Sequence, residues 1–413
     1  MLLSDKISPE FIKGLTLEEQ KQLCAEIRAF LIENVSGTGG HLASNLGTVE
    51  LSVALHSVFS TPDDKIVFDV GHQSYTHKII TGRFAEFRTL RSKGGISGFP
   101  RSSESEHDAF IGGHSSISVS AALGISKALE LEKKEGNVIA VIGDGALTGG
   151  EAYEGLNNIG RHSGNLIIVL NDNEMSISRS KGTVAEYLNR MRSSRSYFDK
   201  KAAVKEFLSH SSVGKEISKS LSGTKDLVKF ALYQSNIFES LGLKYYGPVD
   251  GHDVGKLIEI LEIAKITDEP CIVHIKTKKG KGYRPAELNS GEYHGLSRRN
   301  QPSLRSRSFS ETAGRFLLEL AEKDERICAM TAAMKYGTGL EHIADAYPER
   351  FFDVGIAEQH ALTFSCGLAS QGMIPVFAVY STFLQRCFDQ LIHDASIEKK
   401  PYSPSDGPRR ICR

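Results

Sequence analysis

Asp144 and Asn173 each close an apolar run. Residues 138–142 lead into Gly143-Asp144-Gly145, and residues 166–170 lead into Asn171-Asp172-Asn173. If both runs are strands of an open parallel sheet, the two oxygen ligands stand at strand ends, where such sheets place their ligands. Mg²⁺ takes one or two oxygens from protein and completes its shell from phosphate and water. Glycines beside the aspartate let a phosphate come close to the backbone. The pair therefore predicts a site for Mg²⁺ carrying a diphosphate.

Three histidines follow glycine at the borders of elements. His41 lies in S-G-T-G-G-H-L-A-S-N-L-G, His72 in F-D-V-G-H-Q-S-Y and His114 in G-G-H-S-S. A lone histidine is most often structural. Three such junctions beside an acid/amide pair point instead to a ligand site, and a helix start after His114 would offer free N–H groups to phosphate. Glu358 follows F-F-D-V-G-I-A and opens E-Q-H-A-L-T-F. A carboxylate between an apolar strand and a small-residue helix is expected to be partly buried, which would raise its pKa and suit it to proton donation. A plain helix N-terminal charge, worth up to about 1 kcal/mol, is the other reading. Tyr380, Phe383 and Arg386 share V-Y-S-T-F-L-Q-R. Arg386 has the chemistry of a phosphate clamp, whereas Phe383 alone reads as core.

The elements that must hold these residues are legible as alternating apolar runs and helical stretches. Residues 66–70, 138–142, 166–170, 271–275, 327–330 and 376–379 read as strands. Their continuous hydrophobicity predicts a mostly parallel sheet covered on both faces, an α/β class. Thr16-Leu-Glu-Glu19 is a capping box before a helix through Leu23, Ile27, Phe30 and Leu31. Further helices are expected at 115–132, 357–370 and 385–398.

Composition limits the function. Fifty acidic residues balance fifty basic ones, so no global charge points to nucleic acid or to a membrane surface. The six cysteines (24, 271, 328, 366, 387, 412) form no C-x-x-C pair, which disfavours a zinc site or a disulfide framework and suits a reducing cytoplasm. No leader is apparent, and no apolar run nears the roughly 18 residues of a membrane span. Residues 176–225 carry 11 Lys/Arg against 4 Asp/Glu. Lacking an aromatic platform, this stretch reads as a mobile, solvated surface segment, bounded at about 176–228, and not as a nucleic-acid site. Residues 298–308 read as a linker between domains at 1–300 and 301–413. The tail K-K-P-Y-S-P-S-D-G-P-R-R-I-C-R cannot continue a buried strand, so the second α/β domain is expected to be incomplete, with two or three strands.

Several stretches together resemble one family. S-G-T-G-G-H-L-A-S, D-V-G-H-Q-S-Y-T-H-K, G-G-H-S-S-I-S, G-D-G-A-L-T-G-G-E-A-Y-E, L-N-D-N-E-M-S-I-S, Y-G-P-V-D-G-H-D, H-I-K-T-K-K-G-K-G-Y-R-P-A-E, G-I-A-E-Q-H-A and Y-S-T-F-L-Q-R-C-F-D-Q are similar to 1-deoxy-D-xylulose-5-phosphate synthases, thiamine-diphosphate enzymes of the transketolase-like superfamily. The G-D-G…N element marks the superfamily; D-V-G-H-Q, N-D-N-E-M-S-I-S and Y-S-T-F-L-Q-R mark the synthase. The resemblance runs from about residue 4 to about residue 396.

The resemblance implies a thiamine-diphosphate-binding fold, with a diphosphate-binding domain followed by a pyrimidine-binding one. It implies Mg²⁺ on Asp144, Asn173 and the Met175 carbonyl, with Gly145 and Ala146 near the diphosphate. His72, the Gly113-His114-Ser115 turn and Tyr283 would also touch the cofactor. Glu358 would bond the aminopyrimidine ring and Phe383 would stack on it. His41 and His294 would assist proton transfers, and Tyr380 with Arg386 would hold the phosphorylated acceptor. The implied reaction decarboxylates pyruvate and joins the two-carbon remainder to D-glyceraldehyde 3-phosphate, giving 1-deoxy-D-xylulose 5-phosphate and CO₂ for isoprenoid and thiamine synthesis. A cytoplasmic homodimer is expected. Past residue 399 the family's pattern is lost and its third domain has no counterpart, so a truncated or frameshifted product is expected. An inactive cofactor-binding fragment and a different transketolase-like transferase are the alternatives.

Overall fold

A computed structural model describes residues 2–160, 164–173, 187, 237–296 and 308–397. Met175, the basic segment apart from Tyr187, most of the 298–308 linker and the tail lie outside the described residues. Contacts divide the described chain into two compact units, one ending at 296 and one beginning at 308, with Thr148–Gly150 grouped with the second.

The first unit is built on five strands: β1 (Lys65–Phe68), β2 (Val138–Gly143), β3 (Leu166–Asp172), β4 (Lys244–Asp250) and β5 (Cys271–Lys276). They lie in the order β1-β2-β3-β5-β4, and every pairing is parallel. All seven residues of β3 and the first five of β2 are buried, as a sheet covered on both faces requires. β1, β2, β3 and β5 match the apolar runs read from the sequence. Among this unit's strands, β4 is the one that reading missed, because K-Y-Y-G-P-V-D has polar residues at its ends and a proline inside.

Helix Leu17–Thr38 opens with the expected box: Thr16 Oγ1 accepts from the Glu19 N–H, and the Thr16 N–H donates to the Glu19 carboxylate at 2.8 Å. Leu23, Ile27 and Leu31 of that helix are fully buried. Helix Ser118–Glu132 begins three residues later than the small-residue pattern suggested. The cause is Asp69, just past β1, whose carboxylate accepts from the N–H groups of Ser116 (2.7 Å) and Ser118 (2.9 Å). With Ser116 at a φ of +71°, residues before 118 are held in a turn.

The second unit carries three parallel strands, β6 (Ile327–Thr331), β7 (Phe351–Asp353) and β8 (Ile374–Phe377), in the order β7-β6-β8. Helix Glu358–Ser370 buries Ala361, Leu362 and Ser365. The single helix expected at 385–398 is instead three short pieces of differing pitch, Gln385–Cys387, Phe388–Gln390 and Leu391–Ile397. Among the described residues no helix is long and apolar enough to cross a membrane.

Candidate active site

In the first unit the parallel register sets Gly143 beside Asn171 on neighbouring strands. Asp144 and Asn173 therefore follow directly on the carboxyl ends of β2 and β3, the edge at which open α/β sheets bind ligands. Asp144 is buried. The turn bearing Gly113, His114 and Ser115 is tied to the same edge. The Gly113 N–H donates to the Val70 carbonyl at 2.7 Å, and Ser116 Oγ donates to the Ala146 carbonyl at 2.7 Å. Gly71 permits this closeness: at a φ of +80°, a Cβ there would lie 2.3 Å from Pro100 Cδ. The Gly113-His114-Ser115 and Gly145-Ala146 turns are thus linked through one hydroxyl.

His41, His72 and His294 meet in a triangle, with ring centroids 5.6, 5.5 and 5.5 Å apart. Asn45, fully buried, holds two of its corners. Its Nδ2 donates to the carbonyls of His41 (2.6 Å) and His72 (2.7 Å), and its Oδ1 accepts from the Tyr75 N–H at 2.8 Å. Tyr75 in turn accepts the His41 N–H on its hydroxyl at 3.2 Å. Burial pushes His41 down to about 4 and His294 down to about 3, with Lys279 and then His41 adding repulsion at His294. His72 is driven well below its ordinary value by burial, then by its two neighbours and Lys279. All three rings are neutral at pH 7. The Nδ1 atoms of His41 and His72 are buried and take no hydrogen bond among the described residues. Buried polar atoms are ordinarily satisfied, so two such nitrogens in one cluster fit a polar ligand.

Lys279 is the residue that the motif reading passed over. Burial lowers its pKa, and Asp144 opposes that lowering, so the ammonium lies within electrostatic reach of the aspartate as well as of His72 and His294. The signal was faint, because Lys279 is one of four lysines in H-I-K-T-K-K-G-K-G-Y. Asn45, likewise unnoticed, looked like an ordinary polar residue in a helix. Tyr283 packs edge-on against Tyr293 at 5.7 Å, beside the loop that carries Lys279. The donor set of an acid, an amide, a half-buried lysine and neutral histidines suits Mg²⁺ with a diphosphate.

In the second unit Glu358 is the first residue of its helix, and its carboxylate is buried. Its Oε2 lies 3.2 Å from Arg386 Nε, with both side chains under one-tenth exposed. Glu358 therefore faces a guanidinium and not an apolar wall, and the arginine read as a phosphate clamp is paired to it. Tyr380 and Phe383 stack with centroids 6.4 Å apart, and Tyr380 is 46% exposed. Cys387 sits close enough to Glu358 that the carboxylate helps burial push its thiol up to about 11.

The family model described as 1-deoxy-D-xylulose-5-phosphate synthase matches residues 3–277, and that of the transketolase pyrimidine binding domain matches residues 305–403. The 1-deoxy-D-xylulose-5-phosphate synthase of Clostridium kluyveri is 51% identical over 396 residues, covering 94% of this chain and 64% of that protein. The protein of the same name from Clostridium beijerinckii is 51% identical over 407 residues, covering 97% and 66%. The chain thus spans slightly under two thirds of the length of these relatives. Among solved structures, transketolase from Campylobacter jejuni aligns with a TM-score of 0.48 at 17% identity, over 90% of this chain and 66% of that one.

Proposed function

The chain belongs to the 1-deoxy-D-xylulose-5-phosphate synthase family, and on that premise we propose that it binds thiamine diphosphate with Mg²⁺. We further propose that it condenses pyruvate, with loss of CO₂, and D-glyceraldehyde 3-phosphate into 1-deoxy-D-xylulose 5-phosphate. The observation carrying this reading is the cluster at the ends of β1, β2 and β3: three neutral histidines, two of them with unsatisfied buried nitrogens, beside the half-buried Lys279 and Asp144. Asp144 and Asn173, with the Met175 carbonyl, would hold the metal, and Lys279 would complement the anionic diphosphate. The 113–115 turn, the Gly145-Ala146 backbone and Tyr283 would line the same group.

When bound, the cofactor supplies the electron sink for cleaving and forming carbon–carbon bonds. The chain's residues supply position and proton carriers. His41 and His294 are neutral at pH 7, so each can accept a proton at a ring nitrogen and return it without first losing one. Asn45 keeps the carbonyls of His41 and His72 fixed and so aims both rings. Glu358 would bond the aminopyrimidine ring, with Phe383 stacked on it and Tyr380 and Arg386 toward the acceptor phosphate. A homodimer in the cytoplasm belongs to the same proposal, and the five described cysteines, none of them in a disulfide, suit that compartment.

The test has two stages. Mg²⁺ with thiamine diphosphate should raise the melting temperature, and Asp144→Ala should abolish the rise; no rise in the native chain sinks the cofactor reading. Incubation with pyruvate and D-glyceraldehyde 3-phosphate should then yield CO₂ and the ketose phosphate, with turnover lost in Glu358→Gln. Binding without turnover would leave a cofactor-binding protein and overturn the reaction.

A further inference from the structure

The segment D-G-H-D at Asp250–Asp253 has no part in the site described above, yet each of its residues has a structural duty. Asp250 Oδ1 accepts from the His252 N–H at 2.9 Å, and Asp253 caps the helix Val254–Lys265 by accepting from the Lys256 N–H at 3.2 Å. Gly251 lies against the end of β5. A Cβ there would sit 2.5 Å from Thr277 Cγ2 and 2.9 Å from the Lys276 carbonyl. The turn is thereby pressed onto residues 276–278, and His252 projects into a bridge.

His252 Nε2 accepts the Lys278 N–H at 2.9 Å, so the ring's proton is on Nδ1, which faces Glu50 Oε2 at 3.1 Å. Glu50 is buried, and its other oxygen takes Arg28 Nη2 at 2.5 Å. Burial alone would raise the Glu50 pKa; the bonds from His252 and Arg28 outweigh it and keep the carboxyl ionised. Arg28 also backs the far side of the loop, where a Cβ on Gly282 would lie 2.5 Å from Arg28 Cδ. A carboxylate that orients a histidine through one nitrogen, leaving the other to a functional group, is a recurrent way of fixing a site from one layer behind it.

The group held here is a backbone amide in the loop of Lys279 and Tyr283. The loop is also pinned to the ligand edge by Thr277, whose N–H donates to the Asp172 carbonyl (2.9 Å) and whose hydroxyl donates to Asn171 Oδ1 (2.5 Å). The Gly280 N–H donates to the Ala43 carbonyl at 2.8 Å. Between Thr277 and Gly280, the Lys278 amide is anchored by His252. We propose that His252, oriented by Glu50 and Arg28, is a positioning residue that sets the loop 277–283 and through it aims Lys279 at the diphosphate. This rests on the cofactor reading given above.

The two bonds of His252 can be separated by substitution. Asparagine places a donor near the Nδ1 position and keeps Glu50 partnered while losing the Lys278 acceptor. Glutamine places an acceptor near the Nε2 position and keeps Lys278 while losing Glu50. Titration calorimetry of the full chain with Mg²⁺ and thiamine diphosphate should give an affinity about tenfold weaker for His252→Asn, and His252→Gln should stay within about threefold of the native chain. Equal loss in both variants, or loss in neither, overturns the proposal. Hydrogen exchange without ligand reads the same claim independently: the Lys278 amide should lose protection in His252→Asn and keep it in His252→Gln. If the native chain takes up no cofactor, the functional reading fails, and the exchange pattern still decides whether His252 sets the loop.

Discussion

The histidine triangle of the first unit is half-buried and the Glu358–Arg386 pair of the second is under one-tenth exposed, and the two meet the cost of burial in opposite ways. In the triangle the titratable rings shed their charge, and two ring nitrogens take no partner. In the pair a carboxylate oxygen and a guanidinium nitrogen stand 3.2 Å apart as an ion pair. Each arrangement keeps unmet hydrogen-bonding capacity among the described residues: the Nδ1 atoms of His41 and His72 in the first, and Glu358 Oε2 in the second. Unmet hydrogen-bonding capacity therefore marks both regions as able to receive a polar ligand, and what separates them is charge: neutral rings in the first, an ion pair in the second.

The largest expected effect comes from breaking the ion pair. Glu358→Gln leaves the Arg386 guanidinium buried without its carboxylate, and losing one partner of a buried pair costs about 3 kcal/mol or more. Thermal unfolding of the ligand-free chain should show this, and a double change, Glu358→Gln with Arg386→Gln, should recover part of it. In contrast, His72→Asn should cost the ligand-free chain much less. If both single variants melt alike, the contrast between the two regions is false.

The next effect in size is the response to ligand. With Mg²⁺ and thiamine diphosphate at about a hundred times the dissociation constant, the open site should gain about 2.7 kcal/mol of stability. Asp144→Ala should gain none, and calorimetry of the two chains compares them directly. Acid should then weaken the triangle. His41 folded holds its proton only below about 4, whereas an unfolded histidine takes one near 6.5. Between those values the unfolded chain binds more protons, so stability is present above about pH 6.5 and is lost as pH falls toward 4. The loss from His41 is on the order of 3 kcal/mol. His41→Asn should flatten that part of the curve of denaturation midpoint against pH.

The same contrast explains what the sequence disclosed. Runs such as 138–142 and 166–170 are buried on both faces, so their composition announced parallel strands. β4 did not, because an edge strand with polar ends and a proline lacks that mark. The 118 start of the helix after His114 was hidden because it depends on Asp69, 47 residues away from Ser116. The Gly-His junctions were visible as local motifs, but the triangle joins residues 41, 72 and 294, and only the fold could show that they meet. Lys279 and Asn45 were invisible for the same reason. Their types are ordinary, and their importance lies in which distant carbonyl or carboxylate they face.

The smallest effect tests whether the open site is shaped by its backbone supports. Tyr75→Phe removes only the hydroxyl that accepts the His41 N–H at 3.2 Å. The ring remains packed against Phe87 at 5.8 Å, so no cavity accompanies the change. A neutral hydrogen bond of that length contributes about 1 kcal/mol, and thermal unfolding should show a loss of that size. The loss falls on the backbone that carries His41, one corner of the triangle, whereas Asn45 continues to hold the His41 carbonyl at 2.6 Å. Cofactor affinity should therefore drop less than tenfold. A larger drop would mean that the His41 ring is aimed chiefly through Tyr75, and Asn45→Ala should then cost less affinity than Tyr75→Phe instead of more.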